Sequence, residues 1–587
     1  MFKALRFFAY YGWKYDKLYV IEKILCQLTG ALVPLAAALM PKLIIDELMN
    51  AGRPERLALY VGALAGYVFL SDAVSGFLNR DSFSHRLRVD AEFGLALHAR
   101  QARADLATLE DPAYLDLRRK AEKFITCDYH GFGYLLDCAL DIAGQAVSLA
   151  GLSAMVFALN GWLPPLFAAL SALAALAELR AKKKAMAMYD GIVQAERGWS
   201  YYAGLFGDFR FGKEIRLNGI GAWLTARERR FCGAAIAGMK AQNDLYIRAD
   251  VAGAACRFAQ QGAAYALLCA AVLKGAVGIG DFAMLLAAIT AMGAAIRRAM
   301  NSAVEIRAYD HYFDAVEDYL NTPARLREGP CRPLPAGQRR IEFRDVGFRY
   351  PGQEDWALRH VSLILEPGEK LAVVGENGAG KTTFVKLLTR LYDPTEGQIL
   401  LDGVDIRTLD PDAYMGLFGT VFQDFRLFSF SLKDNVALGR DMTDAAAEAL
   451  LRRAGLGGRL DSLPEGVHTF VNREFDEHGF EPSGGEAQKI ALARALGREA
   501  SVLVLDEPTA ALDPKAEYEM YANLTELAAG RSAVFISHRL ASARLCDRVA
   551  VFSKGRLVEC GTHGALLSQG GVYAALYGMQ AQFYDKE

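Results

Sequence analysis

The chain is 587 residues long, too long for one compact domain at ordinary domain sizes, so two or more folding units are expected. Hydrophobic residues make up 52% against 23% charged, which excludes a disordered chain and places part of it in lipid. Lys plus Arg number 66 and Asp plus Glu 68, a net charge of -2 that excludes the global basic field of a nucleic-acid-binding protein.

The first residues are aromatic and basic (Phe2, Lys3, Arg6, Phe7, Lys14, Lys17), with no small-residue cleavage site behind a short apolar core, so the first membrane helix is expected to be retained. A helix needs roughly 20 apolar residues to cross the hydrocarbon core. Ile24 to Pro41 is free of charge and runs on through Leu43, Ile44 and Ile45; after a polar break at Asn50 to Arg56, Leu57 to Ser71 follows. These predict a first hairpin. Ile142 to Ala177 carries no charge and is interrupted by Asn160, Gly161, Pro164 and Pro165, which predicts a second. Phe258 to Leu273, a turn with Gly275, Gly278 and Gly280, and Phe282 to Ile296 predict a third, about six spans in all.

Basic residues follow the second and fourth spans (Arg86, Arg88, Arg100, Arg118, Arg119, Lys120; then Lys182 to Lys184, Arg210, Lys213, Arg216, Arg227, Arg229, Arg230), while the hairpin tips hold only Arg53, Arg56 and Lys274. That asymmetry predicts both termini on the cytoplasmic side of a cell membrane. The long inside segments are rich in helix formers and predict helices continuing past the bilayer. Asp72, Asp141, Arg257, Arg297 and Arg298 fall toward the inner face, where they either pair and snorkel or line a mixed-charge cavity. The nine cysteines show no paired short spacing and are expected to be free thiols.

Residues 322–340 hold Pro323, Gly329, Pro330, Pro333, Pro335 and Gly337 and read as a linker between a helical membrane domain (1–321) and a second domain (341–587). From Ile341 short β-branched runs alternate with helical patterns, the signature of a parallel α/β sheet.

The loop Gly375, Glu376, Asn377, Gly378, Ala379, Gly380, Lys381, Thr382, Thr383 follows the apolar strand Leu371 to Val374 and opens a helix. Glycines in that setting let backbone N–H groups wrap a polyphosphate, Lys381 brings a positive charge to the outer phosphates, and the Thr382 hydroxyl suits magnesium. The strand Val502 to Leu505 ends in Asp506 and Glu507, placing one carboxylate to hold magnesium and the other to act as general base on the attacking water. His538, at the end of Val534 to Ser537, is positioned to contact the terminal phosphate or orient that water.

The combination of these features resembles the nucleotide-binding domain of the ATP-binding cassette (ABC) family. Ser483, Gly484, Gly485, Glu486, Ala487 and Gln488 resemble its signature motif, Gln423 its Q-loop, and Ala511, Leu512 and Asp513 its D-loop; Tyr350 stands where an aromatic stacks on adenine. In the membrane half, Leu109 to Leu115 and Phe211 to Leu217 resemble the two cytoplasmic coupling segments of exporter-type members. The resemblance implies a chain of six transmembrane helices fused to an α/β P-loop domain, binding ATP and Mg2+, with Gln423 joining Thr382 and Asp506 near the metal. Ser483, Gly484 and Gly485 would complete the site of a second half-transporter, an identical chain in the first instance or a different one, with Glu486 and Asp513 also among the nucleotide-binding residues. It implies an ATP-hydrolysing exporter of an unknown substrate; an importer on the same architecture and an ATP-regulated, non-transporting partner are the alternatives. Pro482 stands where the family usually has leucine and Glu486 where glutamine is commonest, and the segment Asn472 to Gly479 also departs from the family pattern.

Overall fold

The computed structural model describes the chain apart from residues 1, 51, 127–132, 158–168, 170–179, 181–183, 185–187, 209–210, 311–312, 323–325, 327–329, 508–529, 538–541 and 585–587. It divides into two compact units, Met1–Ala102 with Asp116–Asn321, and Arg103–Leu115 with Thr322–Glu587.

The first unit is helical. After α1 (Phe2–Tyr15) come α2 (Lys17–Asn50) and α3 (Pro54–Ala102), packed side by side as the first predicted hairpin. Pro34 and Pro41 sit inside α2, as a transmembrane helix tolerates when its neighbours satisfy the freed backbone. At about 1.5 Å per residue the 49 residues of α3 extend roughly 74 Å, against a hydrocarbon core of about 30 Å. The chain then passes through α4 (Leu106–Leu109) and α5 (Pro112–Thr126) to α6 (Tyr134–Phe157), and through α7 (Tyr189–Gly207) and α8 (Gly212–Leu217) to the 53-residue α9 (Gly221–Leu273), α10 (Ile279–Asp310) and α11 (Phe313–Leu320).

Among the described residues, four helices are long and apolar enough to cross a membrane: α2, α3, α6 and the 279–307 part of α10. The fourth predicted span and the turn before it fall almost wholly outside the described residues. The fifth predicted span, Phe258 to Leu273, is the C-terminal part of α9, which is not among these four. Ala38, Leu152, Val156, Ala264, Leu268, Leu285, Ala288, Ile289 and Met292 form one apolar cluster from α2, α6, α9 and α10. Small residues recur there because apolar lipid gives helices no hydrophobic reason to associate, and close packing must supply the attraction. Asp141 lies in this unit as a paired group: it accepts from Gln145 Nε2 at 3.0 Å and from Ser302 Oγ at 2.8 Å. Eight of the cysteines lie among the described residues and all eight are free thiols.

The second unit is built on two sheets. One has the order β2-β1-β4-β5 from β1 (Ile341–Phe348), β2 (Leu358–Leu365), β4 (Glu396–Leu401) and β5 (Val404–Asp405), all antiparallel. The other has the order β10-β9-β3-β8-β7-β6, from β3 (Lys370–Gly375), β6 (Phe418–Val421), β7 (Val502–Asp506), β8 (Ser532–Ile536), β9 (Arg548–Ser553) and β10 (Arg556–Gly561). The five strands from β9 to β6 are parallel, and only β10 runs against them. The strands β7 and β8 are buried on both faces, as an interior parallel sheet requires. Helix α12 (Lys381–Leu388) follows β3, and α13 (Pro411–Gly416) precedes β6. A separate apolar cluster gathers α14 (Leu432–Ala437), α15 (Asp444–Arg453), α16 (Gly457–Asp461) and α17 (Gly484–Leu496) as a helical lobe on one edge. Two short helices, α18 (His563–Gln569) and α19 (Val572–Tyr584), close the fold.

Candidate functional site

Because β3, β7 and β8 are neighbours running the same way, the loops at their C-terminal ends meet at one edge of the sheet, where ligands bind in open α/β folds. The loop after β3 is where glycine is obligatory. Gly375 has φ +151, and a Cβ there would fall on the carbonyl oxygen of Phe552; Gly380, at the N-terminus of α12, has φ +101, and a Cβ would come within 2.6 Å of Leu358 Cδ2. The backbone thus turns sharply and presents free N–H groups ahead of an eight-residue helix, an arrangement that attracts phosphate.

Lys381 is buried, and its Nζ donates to the carbonyls of Gly375 at 2.9 Å and Glu376 at 3.0 Å, folded back over the loop it belongs to. Burial pulls its pKa below the usual lysine value, against the opposing pull of Glu507 and Asp506. Asp506, the last residue of β7, is 1% exposed, and its carboxylate oxygens have no hydrogen-bond partner at full contact geometry, with the Thr382 hydroxyl the nearby donor. Burial, followed by the charge of Glu507, pushes its pKa up to about 6, while the nearby Thr382 hydroxyl and Lys381 act the other way. An orphaned buried carboxylate beside a threonine hydroxyl is an all-oxygen donor set, and it fits a hard divalent cation such as Mg2+.

Glu507 has φ +50, left-handed for a residue that precedes a proline, a conformation that persists only where the surroundings enforce it. Its N–H donates to Ile536 O at 3.0 Å, its carbonyl accepts from Gln488 Nε2 at 3.3 Å, and its Oε2 accepts from Gln423 Nε2 at 3.0 Å. Gln423 reaches it because β6 pairs with β7 and both chains leave the sheet at the same edge. The structure therefore brings together the loop 375–383, Gln423, Asp506 and Glu507. His538 and Asp513 lie outside the described residues.

Tyr350 sits beside this loop with its hydroxyl 3.1 Å from Thr383 Oγ1 and its ring edge-on to Tyr392 at 5.5 Å. Ser483 is the N-cap of α17, and it forms a capping box with Glu486: Ser483 N and Oγ both donate to Glu486 Oε2 at 2.8 Å, and Glu486 N donates back at 3.4 Å. The backbone hydrogen bond from Ser483 holds the Glu486 carboxyl below its usual pKa, and Arg459 stands 3.4 Å away. The acid where a glutamine was the expectation thus turns inward to fix the helix start, leaving the N–H groups of Gly484 and Gly485 at its tip. Pro482 directly precedes the cap.

Sequence reasoning did not foresee how the segment 103–115 is held. It belongs to the second unit, with Leu106 and Ala107 packed on the core of the sheet domain. Asp105 Oδ2 accepts from Leu326 N at 3.2 Å, Glu110 accepts from the Tyr392 hydroxyl through Oε2, and its Oε1 lies 3.7 Å from Lys386 Nζ. Lys386 in turn lies over the rings of Tyr350 at 5.2 Å and Tyr392 at 5.5 Å. A charge-assisted aromatic cluster therefore joins the segment 103–115 to the residue expected against adenine. The second segment, α8, carries Leu217 at 88% exposure with Phe211 beside it also exposed.

Residues 358–510 match the family model described as ABC transporter. The ATP-dependent lipid A-core flippase of Alkalilimnicola ehrlichii is 38% identical over 311 residues, 53% of this chain and 52% of that protein. The subtilin transport ATP-binding protein SpaT of Bacillus subtilis is 40% identical over 273 residues, 46% of this chain and 44% of that protein. The chain thus spans about half the length of the curated relatives it matches. A solved bacterial Atm1-family ABC exporter with ATP bound has the same fold, with a TM-score of 0.83 at 23% identity over 96% of this chain and 98% of that one.

Proposed function

We propose that this chain, which carries an ABC transporter domain within the fold of an ABC exporter half-transporter, couples ATP hydrolysis to the outward movement of an amphiphilic cargo across a cytoplasmic membrane. The observation that carries the reading is the convergence of the glycine loop, Lys381, the orphaned Asp506 and the Gln423-held Glu507 at one sheet edge. Loop N–H groups and Lys381 bind and orient the phosphates of ATP. Thr382 and Asp506 would hold Mg2+, with Gln423 beside them, and the ion would neutralise charge on the outer phosphates. Glu507 accepts the proton of the attacking water; Gln423, bonded to it at rest, positions it. His538 and Asp513 are assigned to the same site from their sequence positions.

One membrane half and one cassette per chain support a unit of two chains, favoured as identical, in which Ser483, Gly484 and Gly485 of one close over the nucleotide of the other. The basic segments between spans support a cytoplasmic location for both termini and the cassette. The domain limits 1–321, 322–340 and 341–587 belong to the same proposal. The names of the relatives, flippases and a transport protein, support export and an amphiphile as cargo. The test is transport into proteoliposomes whose cassettes face outward: lipid amphiphiles and amphipathic peptides should accumulate in the lumen only with Mg2+ and ATP. ATP-driven depletion of the lumen, or ATP turnover that no member of the panel alters, would refute it.

A further inference from the structure

Asp16, between α1 and α2, is buried, and its Oδ2 lies 2.7 Å from His85 Nδ1 on α3. A carboxylate can only accept, so it fixes the imidazole proton on Nδ1 and leaves Nε2 on the opposite side of the ring. Nε2 faces Glu22 Oε1 of α2 at 3.9 Å, and the ligand atoms of Glu22, Asp81 and His85 all lie within 4.8 Å of one another. Asp81 and His85 are four residues apart and so share one face of α3. Glu22 is 9% exposed, and its Oε2 is buried with no hydrogen-bond partner. Three carboxylates thus surround one imidazole. Arg88, 3.9 Å from Asp16, answers one of them, and Lys23, the nearest cation in sequence to Glu22, is committed to Asp137 at 3.0 Å.

We infer that Glu22, Asp81 and His85 form a binding site for a divalent transition metal ion, with Asp16 orienting His85 from behind. A histidine that ligates through one nitrogen while donating the other N–H to a carboxylate is how proteins hold such ions, and a mixed nitrogen and oxygen set suits Mn2+, Fe2+ or Zn2+ better than Mg2+ or Ca2+. Small side-chain rotations bring the three donors to the roughly 3 Å spacing of ligands about 2.1 Å from a shared ion. Asp81 lies about 40 Å along α3 from Pro54, beyond about 30 Å of hydrocarbon, so the site opens at the membrane boundary, where an ion enters from water. It would clasp the α1–α2 junction, α2 and α3 together.

The test uses the full chain in nanodiscs, freed of any affinity tag, nucleotide and prior metal, in a D506N background that silences the cassette carboxylate. Mn2+ is the probe because it avoids the thiols that would capture zinc. Electron paramagnetic resonance should show one Mn2+ bound per chain, with nitrogen-14 modulation from His85. The modulation should vanish in H85A, binding should vanish in E22Q/D81N, and D16N should weaken it about 10- to 100-fold. If E22Q/D81N fails to give a monodisperse protein, H85A and D16N decide. Absence of binding at millimolar Mn2+ would overturn the site and leave a carboxyl cluster neutralised by protons; binding unchanged in H85A and D16N, or nitrogen modulation persisting in H85A, would also overturn it.

Discussion

Replacing Asp506 by Asn should make the nucleotide-free protein more stable while removing its metal-dependent chemistry. The carboxylate is 1% exposed with both oxygens unpartnered, and its pKa rises from the ordinary 3.8 to about 6. At about 1.4 kcal/mol per pH unit, that rise corresponds to about 3 kcal/mol of destabilisation by the ionised group. The sign follows from proton counting: between pH 3.8 and about 6 the folded state binds more protons than the unfolded one, so stability falls as pH increases through that window. Above it the penalty is complete; below it the penalty disappears. Thermal unfolding of the full chain in nanodiscs, with chelator and without nucleotide, should therefore show D506N ahead of the wild type at neutral pH by up to about 3 kcal/mol. The two should converge in acid below the usual carboxylate range. Mg2+ with ATP should reverse the order, because binding stabilises only the chain that can hold the ion. A wild type at least as stable as D506N at neutral pH, or a gap that does not narrow in acid, would refute this reasoning.

Gln423→Ala removes the hydrogen bond that positions Glu507 and should lower kcat for ATP with little change in ATP affinity, read by steady-state kinetics beside equilibrium binding. Glu486→Ala dismantles the capping box of α17 and should cost about 1 kcal/mol in chemical denaturation, whereas Glu486→Gln, which keeps a side-chain acceptor at that position, should cost much less. Glu110→Ala cuts the contacts to Tyr392 and Lys386 and should leave unstimulated ATP turnover within about twofold while abolishing its stimulation by cargo, since effects on coupling need not follow effects on binding.

The legible parts of this molecule are those written in local periodicity or local chemistry. The charge-free runs named the described spanning helices because hydrocarbon tolerates nothing else for that length, and the strand-loop-helix around Gly375 to Lys381 was readable because each glycine answers a backbone demand within a few residues. Asp506 was placed correctly at a strand end, but its lack of partners was not readable, since burial depends on β6 and β8 on either side. Glu486 looked like a substitution for glutamine at a nucleotide contact; its inward turn onto Ser483 is a capping-box pattern that the spacing Ser-x-x-Glu did offer. The docking of 103–115 rests on pairs 221 and 282 positions apart, Leu326 with Asp105 and Tyr392 with Glu110, which no periodicity in one segment can reveal. Arg390, 1% exposed and donating to the carbonyls of Leu409, Leu326 and Arg407, was likewise invisible, because a buried arginine is recognised only by the carbonyls that gather around it.

ATP hydrolysis by the chain reconstituted alone in lipid nanodiscs, wild type against Glu507→Gln, tests the central claim most directly. The account predicts steady Mg2+-dependent turnover in the wild type and a loss of at least about 100-fold in the variant, with ATP binding retained. Equal turnover in the two, or a folded, ATP-binding wild type that does not hydrolyse, would contradict a self-sufficient pair of identical chains using Glu507 as base.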